Sequence, residues 1–428
     1  MANNFDSNFT RKIARVFLAG FNSKRVLSKS VNTQLLKGKF DPASGANVDF
    51  KRPTDYVSVR TAAGDVSGET VSSIITGKAT GTVQNYFTVF VDYAEADEAI
   101  KMDQLEQLLA PMSQRIVTDL ELDFATFMMH NTALTSGTVG TAATLWPHVS
   151  RAGAVMQANG VPMDAPWYYA VNPYTQTTLA DNQRSLGAGG AAGALVKTAH
   201  EKATIVERYA GFDKVMTATT LASYTNGADT DKAGTLTAAP TLTYVGAKDT
   251  MTQVLAVTAL NGGVTTTIPA GTTVTVAGRY RLNLSTRKPV IDNTGAKVLW
   301  SATVTEAATL TSGAGNVTVT GPGIWETAGA YNTTDTAIAS GDVVTFLGAA
   351  SATIQPNLFW HKDAFGIGSV PISRLHSTDT FATTKDGLQF RVSKGSSFLV
   401  NKQQVRVDFR PAYSVLNPFF AGQGYGYA

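Results

Sequence analysis

From about Leu221 to Gly348 the chain changes texture, and that change constrains the fold more than any other feature. Thr, Ala, Gly and Val dominate, helical periodicity vanishes, and short alternating runs recur, such as Thr241-Leu-Thr-Tyr-Val, Gln253-Val-Leu-Ala-Val, Thr272-Thr-Val-Thr-Val and Asp342-Val-Val-Thr-Phe. Alternation sends successive side chains to opposite faces, which is the pattern of a strand. A run of short strands separated by Gly, Pro and Asn predicts a small all-β barrel or sandwich. Its expected core includes Val254, Leu255, Val274, Val276, Val304 and Val344. The chain resumes a mixed texture afterwards, so the β-unit reads as an insertion into an α+β body.

The flanks carry different periods. Phe9, Ile13, Val16, Phe17 and Phe21 recur at three and four residues, predicting an amphipathic helix over Phe9–Leu27. It packs on its own body or docks on a partner. Period two follows: Val48, Phe50, Val57 and Val59 suggest an outgoing strand, and Tyr86, Thr88, Phe90 and Asp92 a returning one. The polar stretch between them, marked by Gly64, Gly68, Gly77 and Gly81, makes this an extended hairpin. From Ala94 to Asn131 a stripe through Leu105, Met112, Ile116, Leu120, Phe124 and Met128 predicts a long helix, with Pro111 as a kink or break. Further on, Trp146–Ala158 reads as helix, Trp167–Val171 as strand, Pro173 to Leu179 as helix, and the stretch reaching Glu207 as helical or mixed. Gly211-Phe-Asp-Lys-Val-Met returns to strand, and two strands lie between Gly387 and Ser414. The Gly- and aromatic-rich tail from Phe419 is a flexible end or a strap over a neighbour.

Chemistry is scarce. The absence of Cys excludes disulfides, thiolate metal sites and Cys nucleophiles. His130, His148, His200, His361 and His376 are not at metal-ligand spacing, so neither a metal nor a cofactor is expected. Gly187 to Ala192 fits a relaxed dinucleotide pattern but lacks the preceding strand that the mechanism needs. Glu95, Asp97 and Glu98 sit near the start of the long helix, where acidic residues complement its dipole. Charged residues make up only 16%, with 35 basic against 32 acidic, so there is no basic surplus for phosphate contacts. Nor is a signal peptide, a membrane span or a catalytic residue expected. Low charge suits surfaces that meet other protein surfaces.

The order of parts is basic amphipathic arm, long hairpin, spine helix, and mixed domain interrupted by a β-domain. That order resembles the major coat proteins of short-tailed double-stranded DNA phages, the insertion-domain branch of the tailed-phage and herpesvirus capsid fold. Local stretches are similar to that family too: Gly77-Lys-Ala-Thr-Gly81, Arg115-Ile-Val-Thr-Asp-Leu-Glu121, Trp167-Tyr-Tyr-Ala-Val-Asn-Pro-Tyr174, Gly211-Phe-Asp-Lys-Val215 and Asn357-Leu-Phe-Trp-His-Lys-Asp-Ala364. The resemblance spans nearly the whole chain and is weakest within the inserted block.

The resemblance implies an N-terminal arm (1–40), an extended loop or E-loop hairpin (41–94) and a peripheral domain with the spine helix (95–144). It further implies an axial domain in two parts (145–220 and 349–405), an inserted β-barrel (221–348) and a C-terminal return to the peripheral domain (406–428). The implied function is self-assembly into pentamers and hexamers of an icosahedral shell in the bacterial host cytoplasm. Assembly would begin as a procapsid with a separate scaffolding protein, and the partners would be a portal protein and packaged double-stranded DNA, with no membrane. Lys51, Arg52, Arg60 and Lys78 are expected to make polar contacts between subunits along the hairpin. Lys248 and Asp249 would join them if the barrel projects a loop across a two-fold axis. Where relatives dock a scaffold through acidic arm residues, this arm carries Arg11, Lys12 and Arg15, which would call for an acidic partner. The rival readings are the shell of an encapsulin-like compartment, a β-rich surface or adhesion protein, and an enzyme.

Overall fold

The computed structural model describes residues 5–34, 36, 47–52, 55–56, 58–68, 74–94, 105–185, 193–327, 329–376, 379–397 and 402–427. The small-residue loop at 187–192, Val57 and the acidic residues at 95–98 lie outside that set. Two compact units form, one from 1–50, 80–125 and 365–415, the other from 51–79, 126–364 and 416–428.

In the first unit the helix Phe5–Lys24 buries Ile13, Phe17 and Phe21. Phe21 meets the ring of Phe390 at 4.4 Å and that of Phe409 at 5.8 Å. Of the two readings of this arm, packing on its own body is the one observed. Gly20 lies where a Cβ would strike the Ser113 side chain, so glycine lets this helix approach the long helix Leu105–His130 closely. Beyond the arm the chain turns, and buried Glu121 accepts the Leu27 amide at 2.6 Å, the Ser28 amide at 3.1 Å and the Ser28 hydroxyl. The long helix buries Met112, Ile116, Leu120 and Phe124 as their spacing requires. Pro111 neither breaks it nor separates a lead-in; it sits exposed inside the helix, at the loss of one backbone bond.

The hairpin differs from expectation. Strand Asn47–Lys51 neighbours Lys78–Val83, and that pair continues through Pro411–Val415 to Phe365–Ser369. Phe87–Ala94, expected as the returning strand, instead pairs antiparallel along its length with Lys402–Phe409, at the edge of a four-stranded sheet. Both segments alternate, and alternation fixes a face without naming the strand alongside.

In the second unit a five-stranded sheet runs in the order Leu134–Ser136, Ala421–Gly424, Asn357–His361, Trp167–Val171, Lys214–Thr217. Helices Trp146–Ala158, Pro173–Ser185 and Gly193–Lys202 belong to the same unit. The tail from Phe419 is neither a loose end nor a strap: Ala421–Gly424 lies buried inside this sheet, parallel to Leu134–Ser136 and antiparallel to Asn357–Trp360. Its glycines are what make this possible, because a Cβ on Gly422 would overlap the Phe359 ring and come within 2.7 Å of Leu134 Cβ.

The inserted block forms a closed six-stranded barrel from Ala233–Leu236, Thr252–Thr258, Thr273–Tyr280, Leu299–Val304, Gly315–Thr320 and Val343–Phe346. Closure leaves no free sheet edge. Leu255, Val274, Val276, Val304 and Val344 are fully buried in one cluster with Trp300. Val254 is not a core residue; it is 50% exposed, because its neighbours Gln253 and Leu255 already point inward. Arg281 ties the barrel to the rest of its unit: buried, it donates through Nη2 to the carbonyls of Ala133 at 2.9 Å and Ser301 at 3.2 Å. Burial lowers its pKa to about 10, which leaves it charged at neutral pH. Gln423 makes a second tie, donating to Met129 O at 3.1 Å and Gly271 O at 3.0 Å.

Candidate functional site

The residues expected to make contacts fall into three groups. Arg52, Lys78, Lys248 and Asp249 come together in the second unit, although up to 197 positions separate them (249 minus 52). The Arg52 amide donates to Gly77 O at 2.7 Å, its Nε donates to Lys78 O at 3.1 Å, and its Nη1 donates to Leu416 O. Burial lowers the Arg52 pKa to about 10, against the opposing influence of Tyr244 and Asp249. The Lys78 amide donates to Asp249 Oδ1 at 3.1 Å, and Lys248 Nζ holds Asp249 Oδ2 at 2.8 Å. Gly77 is required here, since a Cβ would run into the Lys248 carbonyl oxygen. The helix that delivers Lys248 and Asp249, Tyr244–Ala247, is capped by Thr243, whose hydroxyl accepts the Gly246 amide.

A second tie went unseen in the sequence. Arg287 Nη2 meets Asp55 Oδ2 at 2.6 Å, and the Asp55 amide donates to the Tyr331 hydroxyl at 2.9 Å. The Tyr331 ring stacks on Tyr244 with centroids 3.6 Å apart and the planes 3° from parallel. The Tyr244 amide in turn donates to Glu326 Oε1 at 3.1 Å. Lys78 is therefore held by Asp249, Arg52 is bonded to Lys78 and Gly77, and Asp55 is held by Arg287 and by Tyr331, whose ring stacks on Tyr244. Asp55, Tyr244, Arg287 and Tyr331 share no motif, and the 189 positions between Asp55 and the first of the others (244 minus 55) conceal their proximity.

Lys51 and Arg60 form the second group, exposed at the strand end and along the loop. Tyr56, Val59, Val66 and Ile74 are also exposed there, Ile74 at 75%. Arg11, Lys12 and Arg15 form the third, all exposed on the N-terminal helix while Ile13 and Phe17 face inward. The histidines remain apart: His148 Nδ1 accepts the Thr144 amide at 3.0 Å, and His361 Nδ1 accepts that of Asp363 at 3.1 Å. Among the described residues no group of three or more His, Cys, Asp or Glu is disposed to hold a metal ion.

What emerges is a chain built of held loops, a closed barrel and exposed cationic surfaces. The family model described as P22 coat protein, gene protein 5, matches it over residues 1–426. The chain belongs to the P22 coat protein family. It is also 35% identical, over 427 residues and 100% of each chain, to the major capsid protein of Acyrthosiphon pisum secondary endosymbiont phage 1. Among solved structures it is similar to the mycobacteriophage Che8 structure, at 10% identity and a TM-score of 0.43, covering 93% of this chain and 90% of that one. It is similar to the capsid of cyanophage P-SCSP1u at 11% and 0.39, covering 90% and 84%. It is likewise similar to a virus-like particle from Pyrococcus furiosus at 6% and 0.39, covering 96% and 97%. At such scores these structures add no weight to the family match. Coat-protein membership makes the role structural, in the phage capsid shell, and not catalytic. It also overturns the adhesion and enzyme readings.

Proposed function

We propose that the chain assembles as pentamers and hexamers, first into a procapsid around a separate scaffolding protein, in the cytoplasm of the bacterial host. A portal protein and packaged double-stranded DNA complete the particle. The observation that carries this reading is the full-length match to the coat-protein family. In this reading residues 1–40 are the arm, 41–94 the extended loop, 95–144 the peripheral domain and 406–428 its C-terminal return. Residues 145–220 and 349–405 are the axial domain, with 221–348 as its insertion.

Lys51, Arg60 and Lys78 then serve contacts between subunits, each exposed and each contributing little alone. Arg52 serves them indirectly by fixing the root of the loop, and Lys248 with Asp249 completes that anchor while offering a charged pair to a neighbour. Arg11, Lys12 and Arg15 present a cationic stripe for an acidic scaffold segment. Many modest contacts suit a shell, because each subunit touches several neighbours and ring closure multiplies weak affinities.

Expression with and without the candidate scaffolding partner, followed by electron microscopy, tests the reading. Uniform closed icosahedral shells that depend on the partner are expected. Folded monomers under both conditions would overturn it, and shells filled with enzyme cargo instead of DNA would favour the compartment alternative.

A further inference from the structure

The first unit contains a cavity of about 440 Å³ that plays no part in the contacts above. Its lining combines apolar residues, among them Val83, Val370 and Leu375, with the cations Arg391, Arg406 and Arg410. Arg391 is buried and already engaged, its Nε and Nη2 reaching Asp408 Oδ2 at 3.1 and 2.5 Å and its Nη1 reaching Ser373 O at 2.7 Å. The same carboxylate, fully buried, also accepts Arg406 Nε at 2.6 Å and the Thr88 hydroxyl at 2.7 Å. Arg410 donates through Nε to Gln84 O at 3.2 Å and lies over the Tyr86 ring at 5.0 Å. One carboxylate, Asp408, thus pairs with two of the three guanidinium groups, those of Arg391 and Arg406. The nearby Asp379 carboxylate is held by the Leu375 and His376 amides at 2.7 and 3.0 Å. Among the described residues, Arg406 and Arg410 make their hydrogen bonds within the chain through Nε, which leaves the terminal nitrogens of both to donate elsewhere.

The geometry points to this cavity as the docking site of an acidic protein segment whose carboxylate is flanked by apolar side chains. A planar guanidinium presents paired donors that match a carboxylate bidentately. The apolar lining requires apolar flanks, which a sugar–phosphate backbone lacks, and nucleic acid prefers an open basic surface. The volume lies within the range of about 300–1,000 Å³ typical of ligand pockets, enough for a few side chains. Tyr86 at 48% and Leu375 at 62% exposure stand open to an incoming chain.

The test uses the full chain and a fluorescent hexapeptide that does not occur in it, Leu-Glu-Asp-Leu-Glu-Val, followed by anisotropy. The neutral analogue Leu-Gln-Asn-Leu-Gln-Val and inorganic phosphate are the comparison arms. The acidic peptide is expected to bind about tenfold or more tightly than its neutral analogue, the loss expected when charged hydrogen bonds go unmade. The double variant Arg406→Gln/Arg410→Gln should weaken binding to a similar degree, and Leu375→Ser, at an exposed position, should weaken it with no change in melting temperature. Equal binding of the two peptides, binding of neither, or indifference to both variants would overturn the proposal. Displacement by phosphate at equal concentration would also overturn it, reducing the site to a general anion pocket. If the arginine variant unfolds, the two peptides on the unaltered chain still decide.

Discussion

At Gly77 the fold leaves no room for a side chain, because the Lys248 carbonyl occupies the place of a Cβ. Gly77→Ala should cost about 1–3 kcal/mol through overpacking, read as a lower melting temperature and faster proteolysis between Arg52 and Thr76. Gly68→Ala is the matched control, since nothing lies within 4 Å of its Cβ position, and it should leave both readouts unchanged. Arg281→Ala should cost about 3 kcal/mol in denaturant unfolding, because it removes the charged donor that the buried carbonyls of Ala133 and Ser301 share, leaving Ala133 O to the Ser301 hydroxyl at 3.2 Å. Neither role is visible in the sequence. Gly77 was legible as part of a loop and a family-like motif, but not as a point of contact with residue 248. Arg52 reads as one more surface cation until its bonds to the backbone carbonyls of Gly77, Lys78 and Leu416 are seen. Val254 and Leu255 show the complementary error, since adjacent residues of one strand cannot both face the core.

Elements whose signal is local were legible to the residue: Trp146–Ala158 and Trp167–Val171 occupy the ranges their patterns predict. The barrel was legible in outline and not strand by strand: Thr241-Leu-Thr-Tyr-Val alternates yet forms no strand and runs into the helix Tyr244–Ala247, while the barrel strand Ala233–Leu236, with its glycine, gives little alternating signal. The partner of a strand, by contrast, is a long-range fact, which is why Phe87–Ala94 was assigned to the wrong neighbour. The barrel's own core of Trp300, Leu255 and Val274 leads to the expectation that an excised 221–348 fragment folds alone, with cooperative thermal unfolding by circular dichroism. Its acid sensitivity follows from Asp342. Burial by itself would raise that carboxyl's pKa, but the hydrogen bond from Arg279, the Ala339 amide and the Arg279 charge outweigh burial and lower it. A carboxylate with a lowered folded-state pKa stabilises the protein above its unfolded value of about 3.9, and that stabilisation is lost as pH falls through the folded value. Asp342→Asn should therefore reduce stability at pH 7 and flatten the pH dependence below about pH 4, measured by urea unfolding across that range.

For the whole molecule, assembly and folding should be separable by mutation. Charge reversal at exposed Lys51 and Arg60 is expected to lower shell yield while leaving the melting temperature of the unassembled chain unchanged. Unaltered yield in sedimentation would remove both residues from the contact set. Deleting residues 419–428 should act oppositely, abolishing soluble folded chain altogether, because it removes a strand from inside a sheet. The position of that strand also sets an order of events during synthesis. Residues 134–136, 167–171, 214–217 and 357–361 all leave the ribosome before 421–424, yet the late strand lies between the first of these and the rest. Until it emerges, the sheet exists as two unjoined parts, and a chain not yet translated past residue 424 cannot complete this unit. Translation itself thus acts as a timer, withholding the joined sheet until its last strand has been made.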